Sequence, residues 1–249
     1  MNKMTSWIAA STLTLCAPFA LADVIGASAG MSYWIPDTSG TVKSGGSEID
    51  LEKNLGLKDQ ENMVFFVTLE HPLPLLPNAK FQYFDMDQVS YGNINTSFNG
   101  VNFSGNVQTS LDLTHYEFIL YYEVLDNIID LDVGINAKLF DGELFIRQTT
   151  NNSNVGNTSR TEINEIVPML YANAGASLPF TGLSAGVEAS AISYGDALAY
   201  DVAAKVRQRI TVIAFELGYR AMKVDIEDIS NVDVNIDVAG PYVSAMVVF

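Results

Sequence analysis

Cysteine is almost absent from this 249-residue sequence, in which Cys16 is the only one. A single cysteine excludes an internal disulfide and any metal site built from several thiolates. Charged residues are scarce as well, at 17%, and 13 Lys and Arg stand against 29 Asp and Glu. The formal net charge of −16 argues against a nucleic-acid partner, because phosphates repel such a surface.

Long apolar runs are also missing after the first 22 residues, although 48% of the residues are hydrophobic. No such run approaches the ~18 residues of a membrane-spanning helix. High hydrophobicity in short, interrupted runs is compatible with two architectures. The chain is either a soluble sandwich of two β-sheets or a β-barrel whose outer face meets lipid.

The N-terminal segment 1–22 has the pattern of a secretory signal peptide. Lys3 supplies the positive charge, an apolar stretch follows from Trp7 to Leu15, and Ala20-Leu21-Ala22 forms a cleavage site. We therefore predict export and cleavage before Asp23, which leaves a mature domain of residues 23–249 without cysteine.

The strongest pattern in that domain is a period of two, in which apolar and polar residues alternate as in half-buried β-strands. Tyr116, Phe118, Leu120 and Tyr122, for example, alternate with charged or neutral partners. Breaks at turn-forming clusters predict ten strands: 24–37, 61–71, 79–91, 107–125, 129–147, 162–179, 183–194, 197–209, 211–226 and 232–249.

The connections between these strands are sorted by length. Three long polar loops are predicted at 38–60, 92–106 and 148–161, and tight turns at 71–78, 126–128, 180–182 and around Ile210. Alternation of short turns with longer loops is typical of outer-membrane barrels, whose termini lie at the periplasmic, short-turn end. We predict an all-β fold, a transmembrane antiparallel up-and-down β-barrel of about ten strands, with eight or twelve left open.

The C-terminus provides an independent indication. The chain ends at Phe249 behind alternating Val243, Ala245 and Val247. This ending resembles the assembly tail that the barrel-assembly machinery recognises, so that machinery is an expected partner. Because the apolar alternation before Gly240-Pro241 is out of phase with the alternation after it, we predict a β-bulge there, or else a last strand that begins later than residue 232.

Three stretches resemble a family of outer-membrane β-barrel proteins of Gram-negative bacteria. They are Ile49-Asp50-Leu51 through Leu55-Gly56-Leu57, the Pro-rich turn from Glu70 to Asn78, and Tyr121 to Asn127 with Gly134 to Lys138. The resemblance implies an outer-membrane location and a barrel fold. It contributes no catalytic residues.

The inward face of the predicted barrel is charged. Its predicted network consists of Glu70, Lys80, His115, Glu117, Glu123, Asp130, Asp132, Lys138, Glu165, Glu188, Asp201, Lys205, Arg207, Arg209, Glu216 and Arg220. Such a set could line a small, restricted conduit. We favour a lumen filled by ion pairs, because buried charges need partners and wide channels need ~16 strands.

A catalytic role has little support in the sequence. Ten-stranded outer-membrane proteases use acids and a histidine at the extracellular rim, but His71 falls in a periplasmic turn and His115 in the wall beside Glu117. We therefore expect no enzyme, no cofactor and no metal site, and keep a rim enzyme acting on lipid or peptide only as the least favoured alternative. Apolar residues of the first loop, such as Leu51 and Leu55, suggest a binding module for an apolar ligand or partner as an alternative function.

Acidic residues near the outer strand ends could meet divalent cations that bridge lipopolysaccharide. They are Asp85, Asp87, Asp225, Glu227, Asp228, Asp233 and Asp237. Solvated carboxylates are the simpler interpretation, since no fixed ligand spacing is present. Outer-membrane lipid and lipopolysaccharide are the remaining expected partners.

Overall fold

The computed structural model describes residues 25–58, 60–150, 155–195, 197–229 and 232–249. The predicted signal peptide lies outside the described residues. In those ranges, no helix has the length and apolar character needed to cross a bilayer.

The described residues form eighteen strands. In chain order these are β1 (Gly26–Trp34), β2 (Asp37–Ser44), β3 (Ser47–Asp50), β4 (Asn62–Glu70), β5 (Asn78–Asp85), β6 (Asp87–Ile94), β7 (Ser97–Phe98), β8 (Val101–Asn102), β9 (Gly105–Asp112), β10 (His115–Asp126), β11 (Ile129–Phe140), β12 (Gly142–Gln148), β13 (Thr158–Ile163), β14 (Ile166–Leu178), β15 (Leu183–Tyr194), β16 (Ala197–Ile210), β17 (Ile213–Ile229) and β18 (Val232–Val248).

Ten of these strands close into a barrel. Their order around the ring is β1-β4-β5-β10-β11-β14-β15-β16-β17-β18, and β18 pairs back onto β1. Each strand of the ring is antiparallel to the strands on either side of it. The predicted ten-stranded antiparallel barrel is confirmed.

Above the ring, away from the tight turns, the chain builds an upper region. A second sheet has the order β13-β12-β9-β6, while β2 and β3 extend the first sheet beside the upper half of β18. Several predicted strands therefore bend at one level, where β5, β9, β11 and β13 end and the next strands begin. We define the upper region as β2, β3, β6–β9, β12, β13 and the upper ends of β17 and β18.

The three long loops predicted from the sequence are thus partly wrong, because about half of their described residues lie in strands. Residues 38–60 contain β2 and β3, and residues 92–106 contain β7 and β8. The described part of 148–161 begins at the end of β12 and includes the start of β13. The sequence pattern of these strands is weak because their outward residues are polar or glycine. Their inward residues are buried, and these include Val42, Ile49 and Ile94.

Burial follows opposite rules in the two halves of the molecule. Around the barrel, large apolar side chains point outward and remain exposed, as with Phe118 (50%), Ile135 (58%), Leu170 (74%) and Leu217 (62%). The exposed series from Tyr116 to Val124 on β10 extends about 26 Å along the strand, or about 20 Å along the membrane normal for a tilt of ~40°. Such an apolar outer surface fits the hydrocarbon layer of a membrane.

The upper region instead has an ordinary apolar interior. Its buried residues come from both sheets and from the segment after β3; they include Val42, Ile49, Leu51, Leu55, Leu57, Ile94, Phe98, Val107, Leu111, Leu144, Ile146, Val232, Val234, Ile236 and Val238. Dense packing of this kind leaves little space for a continuous water channel.

Apolar residues face outward in the barrel and inward in the upper region, and this difference explains why the apolar alternation of β18 changes phase at Gly240. Pairing with β17 runs without interruption through Ala239, Gly240 and Pro241, so the bulge predicted there is wrong. The irregularity of this pair lies between Ile226 and Ile229. Alternate residues from Val232 to Met246 stay inward throughout; only their chemistry changes, from apolar above Gly240 to mixed below it.

Gly240 itself is required by a close approach. A Cβ at this position would lie 2.0 Å from the carbonyl oxygen of Ile35, where the chain leaves β1. The carbonyl of Gly240 also accepts a hydrogen bond from Nε1 of Trp34 at 3.1 Å. The glycine therefore lets the β1–β2 crossing pass against β18 at the boundary between barrel and upper region.

Candidate functional site in the barrel lumen

A cluster of charged side chains crosses the lumen just below the upper region. We call it the central ion cluster; it consists of His115, Glu117, Lys138, Asp201 and Arg220. All five project inward from β10, β11, β16 and β17 because each occupies an inward position of the period-two alternation.

The cluster is tightly paired. Nζ of Lys138 donates to Oε1 of Glu117 at 2.7 Å and to Oδ2 of Asp201 at 2.8 Å. The guanidinium of Arg220 donates to both oxygens of Asp201, at 2.7 and 2.6 Å, and to Oε1 of Glu117 at 3.2 Å. Two carboxylates and two cations compensate one another, as buried charges require.

His115 completes the cluster, and its Nε2 lies 3.5 Å from Oε1 of Glu117. Its Nδ1 lies 2.8 Å from the carbonyl oxygen of Leu113, which only accepts, so Nδ1 carries the proton. Nε2 is then free to accept from Nζ of Lys138 at 3.3 Å. With the ring stacked on Phe84 at 4.3 Å and wholly buried, His115 lies away from any surface where a substrate could reach it.

Aromatic rings cover the cluster from the neighbouring strands. The guanidinium carbon of Arg220 lies 4.3 Å from the ring centre of Phe84 and 5.9 Å from that of Trp34. Asn136 adds a neutral contact, donating to Glu117 and to Ser190, each at 3.1 Å. The sequence analysis did not assign Phe84, Trp34 or Asn136 to the lumen network, although the same alternation places them inward. Trp34, expected in an interfacial aromatic girdle, is instead buried.

A cavity of about 320 Å³ lies below the cluster, toward the tight turns. Its wall reaches from Asp126 and Ser177 near those turns to Trp34, Gln82 and Arg220 at the inner end. Above that end come the central ion cluster and the apolar core of the upper region. The cavity therefore opens toward the short-turn end of the barrel.

Two further ion-paired groups lie on the cavity wall. Lys80 and Lys205 share Glu188, at 2.6 and 2.8 Å. Arg207 donates to Glu216 at 2.9 Å, and the hydroxyl of Tyr242 donates to the other oxygen of Glu216 at 2.8 Å. These contacts join β5 with β15 and β16, and β16 with β17 and β18.

The remaining predicted network residues separate into two sets. Glu70, Glu123, Asp130 and Asp132 line the outer part of the cavity. Two assignments are wrong: Glu165 is exposed in the bend between β13 and β14, and Arg209 is exposed at the tight turn, where it donates to the carbonyl of Thr211 at 2.8 Å. Alternation alone placed both inward, but each lies where a strand is ending.

The acidic residues at the outer strand ends are partly paired. Lys223 donates to Asp237 at 2.8 Å, Asn235 donates to Asp225 at 2.9 Å, and Lys43 lies 3.6 Å from Asp233. The side chain of Asp228 lies outside the described residues. Within the described ranges, no group of His, Cys, Asp and Glu has an arrangement that could hold a metal ion.

Asp87, at the lower edge of the upper region, lies opposite Asp112 on β9. The Asp87 side chain is exposed, but partial desolvation, then Asp112 and Asp85, raise the pKa of its carboxyl. The C-terminal Phe249 is largely exposed, and its backbone N–H donates to the carbonyl of Ala27 at 2.8 Å. Its role as an assembly tail remains a prediction.

Several solved structures are similar to this chain. The outer-membrane protease OmpT from Escherichia coli superposes with a TM-score of 0.54 at 10% identity, covering 91% of this chain and 97% of that one. Ail of Yersinia pestis, in complex with the heparin analogue sucrose octasulfate, gives a TM-score of 0.32 at 11% identity, covering 90% and 99% of the two chains. A FadL homologue of Pseudomonas aeruginosa gives 0.35 at 9% identity, covering 91% and 90%.

No protein-family model matches the sequence, and no curated protein sequence matches it either. The superposition on OmpT shows a shared fold and, at 10% identity, nothing about activity. The exposed apolar belt and the charged, inward-facing lumen support the outer-membrane location that the sequence predicts. The chain is an integral β-barrel of the outer-membrane type.

Proposed function

We propose that this protein is a closed barrel of the outer membrane, which holds the packed upper region at the cell surface and does not conduct solutes. Its role in this proposal is structural. The observation that carries it is the contact between Arg220 and Glu117, which joins strands on opposite sides of the ring.

Two layers support a closed lumen. The central ion cluster fills the bore with side chains that are almost fully buried, and the apolar core of the upper region lies above it. Narrow barrels are usually filled by side chains in this way. A solute entering the cavity from the periplasmic side would have to separate both layers in order to cross.

The restricted conduit is the second candidate, and proteoliposome swelling separates it from the closed barrel. We expect vesicles carrying the folded protein to show no swelling in small sugars or amino acids, while a general porin produces rapid swelling. The Arg220→Ala/Glu117→Ala variant shows whether removing the contact opens a path. Swelling with the unaltered protein, at a rate that falls with solute size, would establish the conduit instead.

A binding module and a rim enzyme both have less support. The apolar side chains of the first loop, Leu51, Leu55 and Leu57, are covered by the protein's own core, so they do not form an open ligand surface. An enzyme at the outer rim would need a reactive group there. The two histidines of the chain lie elsewhere: His115 is buried in the lumen, and His71 lies in the tight turn, where its ring contacts the carbonyl of Pro77.

A further inference from the structure

The cavity below the central ion cluster has the size of a ligand site. Its volume of about 320 Å³ falls within the range of small-molecule pockets, about 300–1,000 Å³. It is accessible from the short-turn end, and its inner end is closed by Trp34, Gln82 and Arg220. A closed barrel does not require such a space, because a lumen can be filled completely.

The charges in the cavity are unevenly distributed. Carboxylates outnumber cationic side chains along its wall. Each cation, Lys80, Lys205, Arg207 or Arg220, lies within 3.2 Å of a carboxylate. The excess negative charge is therefore located among the residues of the outer part.

Those outer carboxylates have neutral partners. Tyr121 donates its hydroxyl to Glu70 at 2.8 Å, and Asn173 donates its amide to Asp132 at 2.9 Å. Among the described residues, none of Glu70, Glu123, Asp130 and Asp132 lies within ion-pair distance of a lysine, arginine or histidine. A cation entering the mouth would supply the missing countercharge.

Gln82 provides an independent indication of a ligand. This side chain lines the inner part of the cavity and is only 5% exposed. Its Oε1 atom has no hydrogen-bond donor among the described residues. A buried acceptor without a donor is unfavourable, so the position favours a ligand that carries N–H groups.

Aromatic faces complete the wall. The rings of Tyr121 and Tyr171 lie 5.8 Å apart, and both residues line the cavity with Trp34 and Phe66. Aromatic faces attract cations, especially when water is partly excluded. Negative charge, an unpartnered acceptor and aromatic walls are together complementary to one chemical class.

We propose that the cavity is a binding site for a small organic cation with primary ammonium groups, of the linear diamine class, which enters from the periplasmic side. One ammonium is held at the mouth by Glu70 and Asp132. The chain lies along the wall formed by Tyr121 and Tyr171, and the inner N–H groups reach Gln82. In strand register, Glu70 and Gln82 are separated by about four residues, or about 13 Å. This proposal does not depend on whether the barrel conducts.

Isothermal titration of the folded mature protein, residues 23–249, with 1,4-diaminobutane tests the site. Trp34 fluorescence gives a local signal because this residue lines the cavity and is the only tryptophan of the mature sequence. Tetramethylammonium, succinate and Mg²⁺ are the comparison ligands. We expect diaminobutane to bind and to shift Trp34 emission. Tetramethylammonium, which has no N–H donor, should bind about tenfold more weakly. Succinate should not bind.

Variants locate the site. Glu70→Gln/Asp132→Asn should weaken diaminobutane by about tenfold or more, while Gln82→Met should remove its advantage over tetramethylammonium. Asp87→Asn replaces a carboxylate outside the cavity; it is the matched control and should leave diaminobutane binding unchanged. A heat-modifiable gel shift verifies that each variant is folded.

Three results would overturn the proposal. They are no heat or fluorescence change with diaminobutane at millimolar concentration, equal weakening by Asp87→Asn, and displacement of diaminobutane by equimolar Mg²⁺. The last two would reduce the effect to general attraction by an acidic surface. Preference for succinate would likewise contradict the assigned ligand class.

Discussion

Arg220 on β17 and Glu117 on β10 lie on opposite sides of the ten-stranded ring, and Nη2 of the arginine is 3.2 Å from Oε1 of the glutamate. A contact of this kind reports the diameter of the lumen directly, since two side chains span it. It also ties together strands that are distant in the chain, and several predictions depend on this arrangement.

Lys138→Met should destabilise the barrel strongly. The substitution leaves Glu117 and Asp201 buried with Arg220 as their only cation, and loss of one partner in a buried network costs about 3–5 kcal/mol. The urea midpoint of unfolding in lipid vesicles measures this effect. Arg160→Met is the control, because the Arg160–Glu143 pair is largely exposed, and its loss should cost about 1 kcal/mol or less. Equal effects of the two variants would contradict the central ion cluster as a buried network.

Leu55→Ala should loosen the upper region while leaving the barrel intact. Leu55 is fully buried in the upper core, and truncation of such a leucine costs about 2–5 kcal/mol. Protease cleavage in the upper region should accelerate, with the heat-modifiable shift of the barrel unchanged. Leu75→Ala, at an 89% exposed position of the Pro-rich turn, should leave cleavage unaffected. Cleavage rates that do not differ between the two would place Leu55 outside a packed core.

Gly240→Ala should impair folding more than Gly45→Ala. The added methyl at Gly240 would meet the carbonyl of Ile35 at 2.0 Å, whereas nothing lies within 4 Å at Gly45. Gly45 has a φ of +59°, so its substitution costs backbone strain of about 1 kcal/mol. The yield of heat-modifiable protein after refolding compares the two variants. A larger loss with Gly45→Ala would contradict the close crossing of β1–β2 over β18.

Asp87→Asn should stabilise the upper region at neutral pH. Partial desolvation, Asp112 and Asp85 raise the pKa of Asp87, so its ionised form is disfavoured in the folded state, by a small amount because the side chain is exposed to solvent. Stability linked to Asp87 is therefore fully present below its usual pKa of about 3.9 and is lost as the pH rises through the higher folded value. Thermal unfolding of the upper region, followed by protease resistance, should favour the variant at pH 7 and show no difference near pH 3. A variant less stable at pH 7 would contradict like-charge repulsion at this position.

The barrel strands were predictable because apolar and polar residues alternate regularly along each of them. Residues such as Phe118 and Leu120 face outward and charged residues such as Glu117 face inward, so a period of two with the right chemistry appears in the sequence. The number of strands follows from counting these segments. The tight turns are equally visible as clusters of turn-forming residues.

The upper region was not predictable in the same way because its rule of burial is reversed. On β18, Val234 and Ile236 face inward above Gly240, whereas Val243 and Val247 face outward below it, without any change in register. In the sequence alone, this switch has the pattern of a bulge. A reversal of apolar phase within one uninterrupted strand indicates instead that the strand leaves lipid and enters a packed protein core.

The membership of the lumen network was only partly predictable. Alternation identifies Lys138 and Asp201 as inward residues, but their contact depends on how far each strand is staggered around the ring, which no local pattern specifies. Alternation also fails at strand ends, as Glu165 and Arg209 show. The unpartnered oxygen of Gln82 depends on the side chains that surround it, and these come from strands distant in the chain.

The closed lumen is tested most directly by single-channel recording in planar lipid bilayers. Purified, heat-modifiable protein should insert without producing conductance steps in concentrated salt, because the central ion cluster and the upper core both block the bore. Arg220→Ala/Glu117→Ala provides the comparison, since it removes the contact across the lumen. Stable, reproducible current steps from the unaltered protein would contradict the closed barrel.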